Sequence, residues 1–199
     1  MLADLISLGG RIILGGFYRL SYTGLENIPK TGAVVIACDH FSDADPIALD
    51  LAVKKARVAR FVAKKELFGW PVFGRALREV HAIPVDRYNP DGDLNALRAT
   101  LSGLAKGDCM IIFPQGTRSK NGKIAEPKSG VGFIACRSGA QIVPTRIRGT
   151  ENFPELARIS LNFGKPYSWD EFVQETGITD KKEGYKEFSQ KIMEKIEKL

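Results

Sequence analysis

Histidine and cysteine are scarce, with two and three residues among 199. Cys38, Cys109 and Cys136 are odd in number, far apart and set in apolar surroundings. They offer neither a disulfide framework nor a zinc-type pair and read as free buried thiols of a reducing compartment. The Walker pattern, the dinucleotide G-x-G-x-x-G and the G-x-S-x-G elbow are all missing, which removes the commonest nucleotide readings and leaves a serine hydrolase unsupported. There is no internal repeat and no low-complexity tract. At this length the chain fits one α/β domain with a substantial core.

Acidic residues are outnumbered, giving a net charge of +6 and a pI near 9.2. That balance favours an anionic partner, whether phosphate, membrane surface or nucleic acid. The cations are spread along the chain with no recognition motif among them, which argues against nucleic acid.

Residues 1–20 are apolar, yet Asp4, Arg11 and Arg19 divide them into uncharged runs well short of the roughly 20 residues a spanning helix needs. No basic stretch precedes the apolar part, so no secretory leader is expected. Leu2, Leu5, Ile6, Ile13, Phe17 and Leu20 can share one helix side. The division expected is an amphipathic helix over 1–20, either lying in a bilayer interface or packed on its own domain, followed by an α/β domain over 21–199.

What is present in unusual density is the octet Asp39-His40-Phe41-Ser42-Asp43-Ala44-Asp45-Pro46, directly after the apolar run 33–38. The run reads as a buried strand, so the octet occupies a strand exit, where open α/β sheets place their chemistry. His40 is suited to act as a general base near neutral pH. On one helix its five-residue spacing from Asp45 would put the two on different faces, so the segment must include a turn. Pro46 suits a first helical position, which makes Asp45 the expected N-cap and His40 an upstream loop residue. A carboxylate on the far imidazole nitrogen would fix the tautomer and free the other nitrogen for a proton. Asp45 is expected to use one oxygen for this and the other for the cap.

Downstream, residues 46–55 read as a short helix, with Lys54, Lys55 and Arg57 suiting its C-terminal dipole. A strand over 58–63 delivers Lys64, Lys65 and Glu66 into the apolar run 67–73, which suits a groove wall, a membrane-facing lip or ordinary core. Residues 82–86 read as a third strand with Arg87 at its exit. Asp91 or Asp93 is expected to cap a helix whose Leu94, Leu97, Leu101 and Leu104 form a core face closed by Gly107. The strand at 109–113 runs into Pro114-Gln115-Gly116-Thr117-Arg118-Ser119-Lys120, a second polar exit composed to hold a phosphate. A helix from Ser129 to near Gly139, strands over 142–148 and 157–163, and helices beyond Ser168 complete the chain. The last helix carries Tyr185, Phe188, Ile192, Ile196 and Leu199 on one face. The fold class expected is α/β, with a mixed, mostly parallel sheet flanked by helices.

Asp39, His40, Asp43 and Asp45 offer metal-ligand atoms, but no second histidine lies near them and His81 reads as structural, so no metal is expected. Cys38 reads as a small core residue rather than a nucleophile. A general base without a protein nucleophile implies that the substrate brings its own, most simply a hydroxyl. A cationic exit loop implies that this substrate carries phosphate.

Residues 40–45 resemble the H-x-x-x-x-D box of the glycerolipid acyltransferases, in its N-H-x-S-x-x-D form with Asp39 in place of Asn. Residues 113–119 resemble their F-P-E-G-T-R-S box with Gln115 in place of Glu. Residues 63–74 are similar to the A-K-x-E-L-F-x-x-P-x-F-G stretch, 83–87 to the segment ending in a phosphate-binding Arg, and 142–149 to the I-V-P-x-x-x-x-G block. H-x-x-x-x-D alone would carry no weight, whereas five ordered blocks over about 30–150 are specific. Within the family, the 1-acylglycerol-3-phosphate acyltransferases are the most similar.

The resemblance implies acyl transfer from coenzyme A or acyl carrier protein to the hydroxyl of a lysophosphatidate, at the cytoplasmic face of a membrane and with no further cofactor. It implies His40 as base and Asp45 as its orienting partner, with backbone N–H groups near the octet for the oxyanion. Arg87, Thr117, Arg118 and Lys64 would hold the phosphate, with Lys65 and Lys120 as weaker candidates. Gln115 and Gly116 would orient the acceptor, Gln115 through hydrogen bonds rather than a carboxylate. Two alternatives remain open at this point: another acceptor, such as glycerol 3-phosphate or another lysolipid, and a lipid-binding module without the reaction.

Overall fold

The computed structural model describes residues 19–42, 44–71, 73–79, 82–86, 92–119, 125–151 and 158–199. Seven strands form one sheet: β1 (Leu20–Thr23), β2 (Val34–Cys38), β3 (Ala59–Lys64), β4 (Ile83–Val85), β5 (Cys109–Ile112), β6 (Gln141–Arg148) and β7 (Ile159–Phe163). Their order is β1-β7-β6-β2-β5-β3-β4, and every neighbouring pair is parallel except antiparallel β6 and β7. The helices are α1 (Asp45–Val53), α2 (Phe73–Glu79), α3 (Gly92–Ala105), α4 (Gly130–Ser138), α5 (Trp169–Thr176) and α6 (Lys181–Glu197).

β2 is the centre of the sheet and is buried along its whole length. Side chains alternate across a strand, so a strand with no polar residue must be covered on both faces. Val34, Ile36 and Cys38 pack with Ala48, Leu49, Ala52 and Val53 of α1 on one face. Val35 and Ala37 join Val131, Ile134, Ala135, Phe188, Ile192 and Ile196 of α4 and α6 on the other. Burying each large aliphatic side chain of these layers stabilises by about 1.5–3 kcal/mol. The β2 exit, flanked by β5 and β6, is therefore held by the best-packed part of the domain.

Several boundaries differ from the sequence reading. Leu20 opens β1 rather than closing a helix, and the rest of the expected N-terminal helix, residues 1–18, lies outside the described residues. Arg57 does not serve the α1 dipole. Its guanidinium donates to the carbonyls of Pro29, Gly32 and Gly107, bridging two loops that approach it. In α3, Leu104 is buried and Leu97 and Leu101 pack on the core edge, but Leu94 in the first turn is 43% exposed and lies outside the core cluster. In the apolar run after β3, residues Lys65–Gly69 form a 3₁₀ turn and Trp70 is 59% exposed, which removes Trp70 from the core. Ser168 forms a full capping box with Glu171, and Gly139 closes α4 in the left-handed conformation at φ 63°. Cys136 is half-buried, while Cys38 and Cys109 are buried.

Candidate active site

The apolar β2 strand ends at Cys38, and the chain turns at once. Asp45 N–H bonds back to the Ser42 carbonyl at 3.2 Å, and Ser42 Oγ accepts from Ala44 N–H at 3.2 Å, closing a tight loop onto α1. His40 Nδ1 lies 2.8 Å from Asp45 Oδ2, with the His40 side chain 14% exposed and that of Asp45 wholly buried. The same Oδ2 accepts the N–H groups of Phe41 at 2.6 Å and Ser42 at 2.7 Å. An oxygen that already accepts two N–H bonds is an acceptor for the ring as well, so Nδ1 carries the hydrogen and Nε2 holds the lone pair.

Two details differ from expectation. Ala44, not Asp45, is the N-cap of α1, and it makes no side-chain cap bond. Asp45 is already helical, and its carboxylate turns back to accept the loop N–H groups of Phe41 and Ser42. It also does not divide its oxygens: Oδ2 takes His40 and both backbone groups, while buried Oδ1 has no hydrogen-bond partner among the described residues.

The β5 exit meets this loop directly. The Phe113 ring stacks on His40 with centroids 4.0 Å apart and planes 20° from parallel, and Ser119 N–H donates to the His40 carbonyl at 2.7 Å. Gln115 is 2% exposed, and its Nε2 donates to Ser119 Oγ at 3.3 Å. Gly116 adopts φ 70°, a conformation costly for other residues, and a Cβ there would lie 3.3 Å from Lys128 Cδ and Cε. Gly116, Thr117 and Arg118 are exposed on this loop. Lys64, also exposed, ends the next strand over, opposite Val85, and the adjacent Lys65 pairs with Asp86 at 3.7 Å. His40, Asp45, Gln115, Gly116, Thr117, Arg118 and Lys64 therefore all stand at the carboxyl edge of parallel strands. Arg87 and Lys120, like Asp43 and His81, lie outside the described residues.

Sequence reasoning missed three participants. Phe113 was read as a strand end, and Lys128 went unread. Asp39 was weighed only as a metal ligand and as a departure from Asn. It is wholly buried, accepts from Ile147 N–H at 2.9 Å and faces Arg146 Nε at 3.2 Å. Burial pushes its carboxyl up to about 6, against the opposing pull of the Ile147 N–H and the Arg146 charge. The signal available was a carboxylate continuing, without a break, a strand apolar on both faces. Burial also raises the Cys38 thiol well above its ordinary range, with the neighbouring carboxylates adding to it, which leaves the thiol protonated and unreactive.

A mostly parallel α/β sheet thus carries a His-carboxylate pair at one strand exit and a Gly-containing cationic loop at the next. Residues 19–148 match the family model described as Acyltransferase, and the chain belongs to that family. It is 32% identical over 151 residues to the 1-acyl-sn-glycerol-3-phosphate acyltransferase of Bacillus subtilis, covering 74% of this chain and 73% of that one. It is 32% identical over 135 residues to a chloroplastic 1-acyl-sn-glycerol-3-phosphate acyltransferase of Arabidopsis thaliana, covering 67% of this chain. The chain spans only 37% and 38% of the Arabidopsis and Brassica napus relatives. The crystal structure of the 1-acyl-sn-glycerophosphate acyltransferase of Thermotoga maritima superposes with a TM-score of 0.74 at 25% identity, over 99% of this chain and 79% of that one. Among the described residues no helix is long and apolar enough to cross a membrane.

Proposed function

We propose that this chain transfers a fatty acyl group from an acyl thioester to the free hydroxyl of 1-acylglycerol 3-phosphate, giving phosphatidate. The observation that carries the reading is the 2.8 Å contact between His40 Nδ1 and Asp45 Oδ2 beside the Gln115–Ser119 loop. His40 Nε2 takes the hydroxyl proton as that oxygen attacks the thioester carbonyl. The tetrahedral intermediate then expels the thiolate, which receives the proton back from the imidazolium. Buried Asp45 stabilises the cationic ring in between. The substrate supplies the nucleophile, so no acyl-enzyme forms.

Arg118 and Thr117, with Lys64 and Arg87, hold the acceptor phosphate. Gln115 and Gly116 orient the acceptor, the amide through hydrogen bonds and the glycine by letting backbone approach closely. Coenzyme A or acyl carrier protein carries the acyl group. The amphiphilic acceptor supports a reaction at a membrane surface with the domain peripheral to it, and a coenzyme A or acyl carrier protein donor supports its cytoplasmic face.

The test is incubation of the protein with radiolabelled acyl-coenzyme A or acyl–acyl carrier protein and a panel of acceptors in vesicles. Phosphatidate from lysophosphatidate is the expected product. Product only from glycerol 3-phosphate or another lysolipid would overturn the acceptor assignment, and vesicle binding without product would overturn the activity.

A further inference from the structure

We infer that the ion pair of buried Asp39 with partly buried Arg146 positions His40, a role that rests on the general-base reading above. Asp39 immediately precedes His40 and is wholly buried. Its Oδ1 accepts from Ile147 N–H at 2.9 Å and from the Cys38 thiol at 3.4 Å, and its Oδ2 lies 3.2 Å from Arg146 Nε. Arg146 and Ile147 belong to β6, which runs parallel beside β2 with Thr145 opposite Cys38. One carboxylate therefore clamps the first residue of the loop to the neighbouring strand.

The same arginine reaches the other side of His40. Its guanidinium carbon lies 6.0 Å from the centre of the Phe41 ring, and Phe41 N–H donates to Asp45 Oδ2. The residues before and after His40 are thus both held by the pair, while Phe113 covers the ring. Asp39 Oδ2, Arg146 Nε and Arg146 Nη1 are buried without an aligned hydrogen-bond partner among the described residues. The Arg146 charge joins the Ile147 N–H in offsetting the burial of Asp39, and Asp39 lies 3.2 Å from Arg146 Nε, so removing either charge leaves its mate largely buried with less to compensate it. The box that residues 39–45 resemble carries Asn where Asp39 stands. A neutral amide needs no counter-charge, so Arg146 is the companion that an aspartate at this position requires.

The experiment measures kcat and KM for lysophosphatidate in the full chain and in Arg146→Met, Asp39→Asn, the Asp39→Asn/Arg146→Met double variant and His40→Ala, with a circular-dichroism melt of each. Each single change at the pair is expected to lower kcat by about tenfold or more while KM stays within about twofold. The double variant, whose Asn oxygen still accepts from Ile147, is expected to recover to within about threefold of the parent. Parental kcat in both single variants, or a double variant no better than the singles, would overturn the pair. Should Arg146→Met fail to fold, Asp39→Asn against the double variant decides by the same criterion. Parental activity in His40→Ala would defeat the general-base reading itself, whereas an inactive His40→Ala beside unaffected single variants would defeat only the pair.

Discussion

The imidazole of His40 lies on the ring of Phe113, 4.0 Å between centroids, and this contact joins the exits of β2 and β5. One face of the ring is fixed by the stack and one edge by Asp45 Oδ2 at 2.8 Å, so the ring has no free rotation about its attachment. A stacked pair of this kind contributes about 0.5–1.5 kcal/mol beyond the area it buries. In the proposed mechanism, the freedom removed from His40 is what a positioned proton acceptor requires.

Asp45→Asn keeps the shape but removes the charge that, in the proposed mechanism, stabilises the imidazolium. It is expected to lower kcat by about 10²-fold or more with a much smaller change in KM. Steady-state kinetics with varied lysophosphatidate checks this, and a parental kcat would remove Asp45 from the mechanism.

Asp39 predicts a pH dependence of stability. Its carboxyl titrates near 6 in the folded protein against an ordinary value of 3.8, so between these values the folded state binds more proton than the unfolded state. Stability from this group is then fully present below the ordinary value and falls as pH rises through the folded value, by up to about 3 kcal/mol. Urea denaturation of the parent and of Asp39→Asn from pH 4 to 7 isolates the term. The difference between the two is expected to move in favour of Asp39→Asn as pH rises, and a constant difference would contradict it.

The strand exits were legible because their physics is local. Six apolar residues followed by an octet rich in polar ones mark where a buried strand surfaces, and Pro46 marks where a helix begins. The five-residue spacing of His40 and Asp45 required the turn that the structure contains. The pairing of Asp39 with Arg146 was not legible, since the two are separated by over a hundred residues and meet only because β6 lies beside β2. Helical periodicity likewise placed Leu94 on the core face. Which turns of that face the rest of the fold covers depends on tertiary placement, which periodicity does not encode.

Gly116→Ala forces a left-handed backbone on alanine and crowds Lys128. A cost of about 1–2 kcal/mol is expected, with a lower melting temperature and a raised KM for lysophosphatidate. A variant unchanged in both would show that the loop relaxes without consequence.

Gln115 is buried and tied to Ser119, whose N–H holds the His40 carbonyl. If it acts through hydrogen bonds, the parent is active and Gln115→Glu changes kcat by less than about tenfold. An inactive parent restored by Gln115→Glu would show that a carboxylate is needed there.

Proton transfer by His40 is tested most directly by single-turnover acyl transfer in His40→Ala. With radiolabelled acyl thioester and lysophosphatidate vesicles, the parent is expected to form phosphatidate. His40→Ala, with its melt unchanged, is expected to react slower by about 10²–10⁴-fold. Phosphatidate formed by His40→Ala at the parental rate would contradict the account.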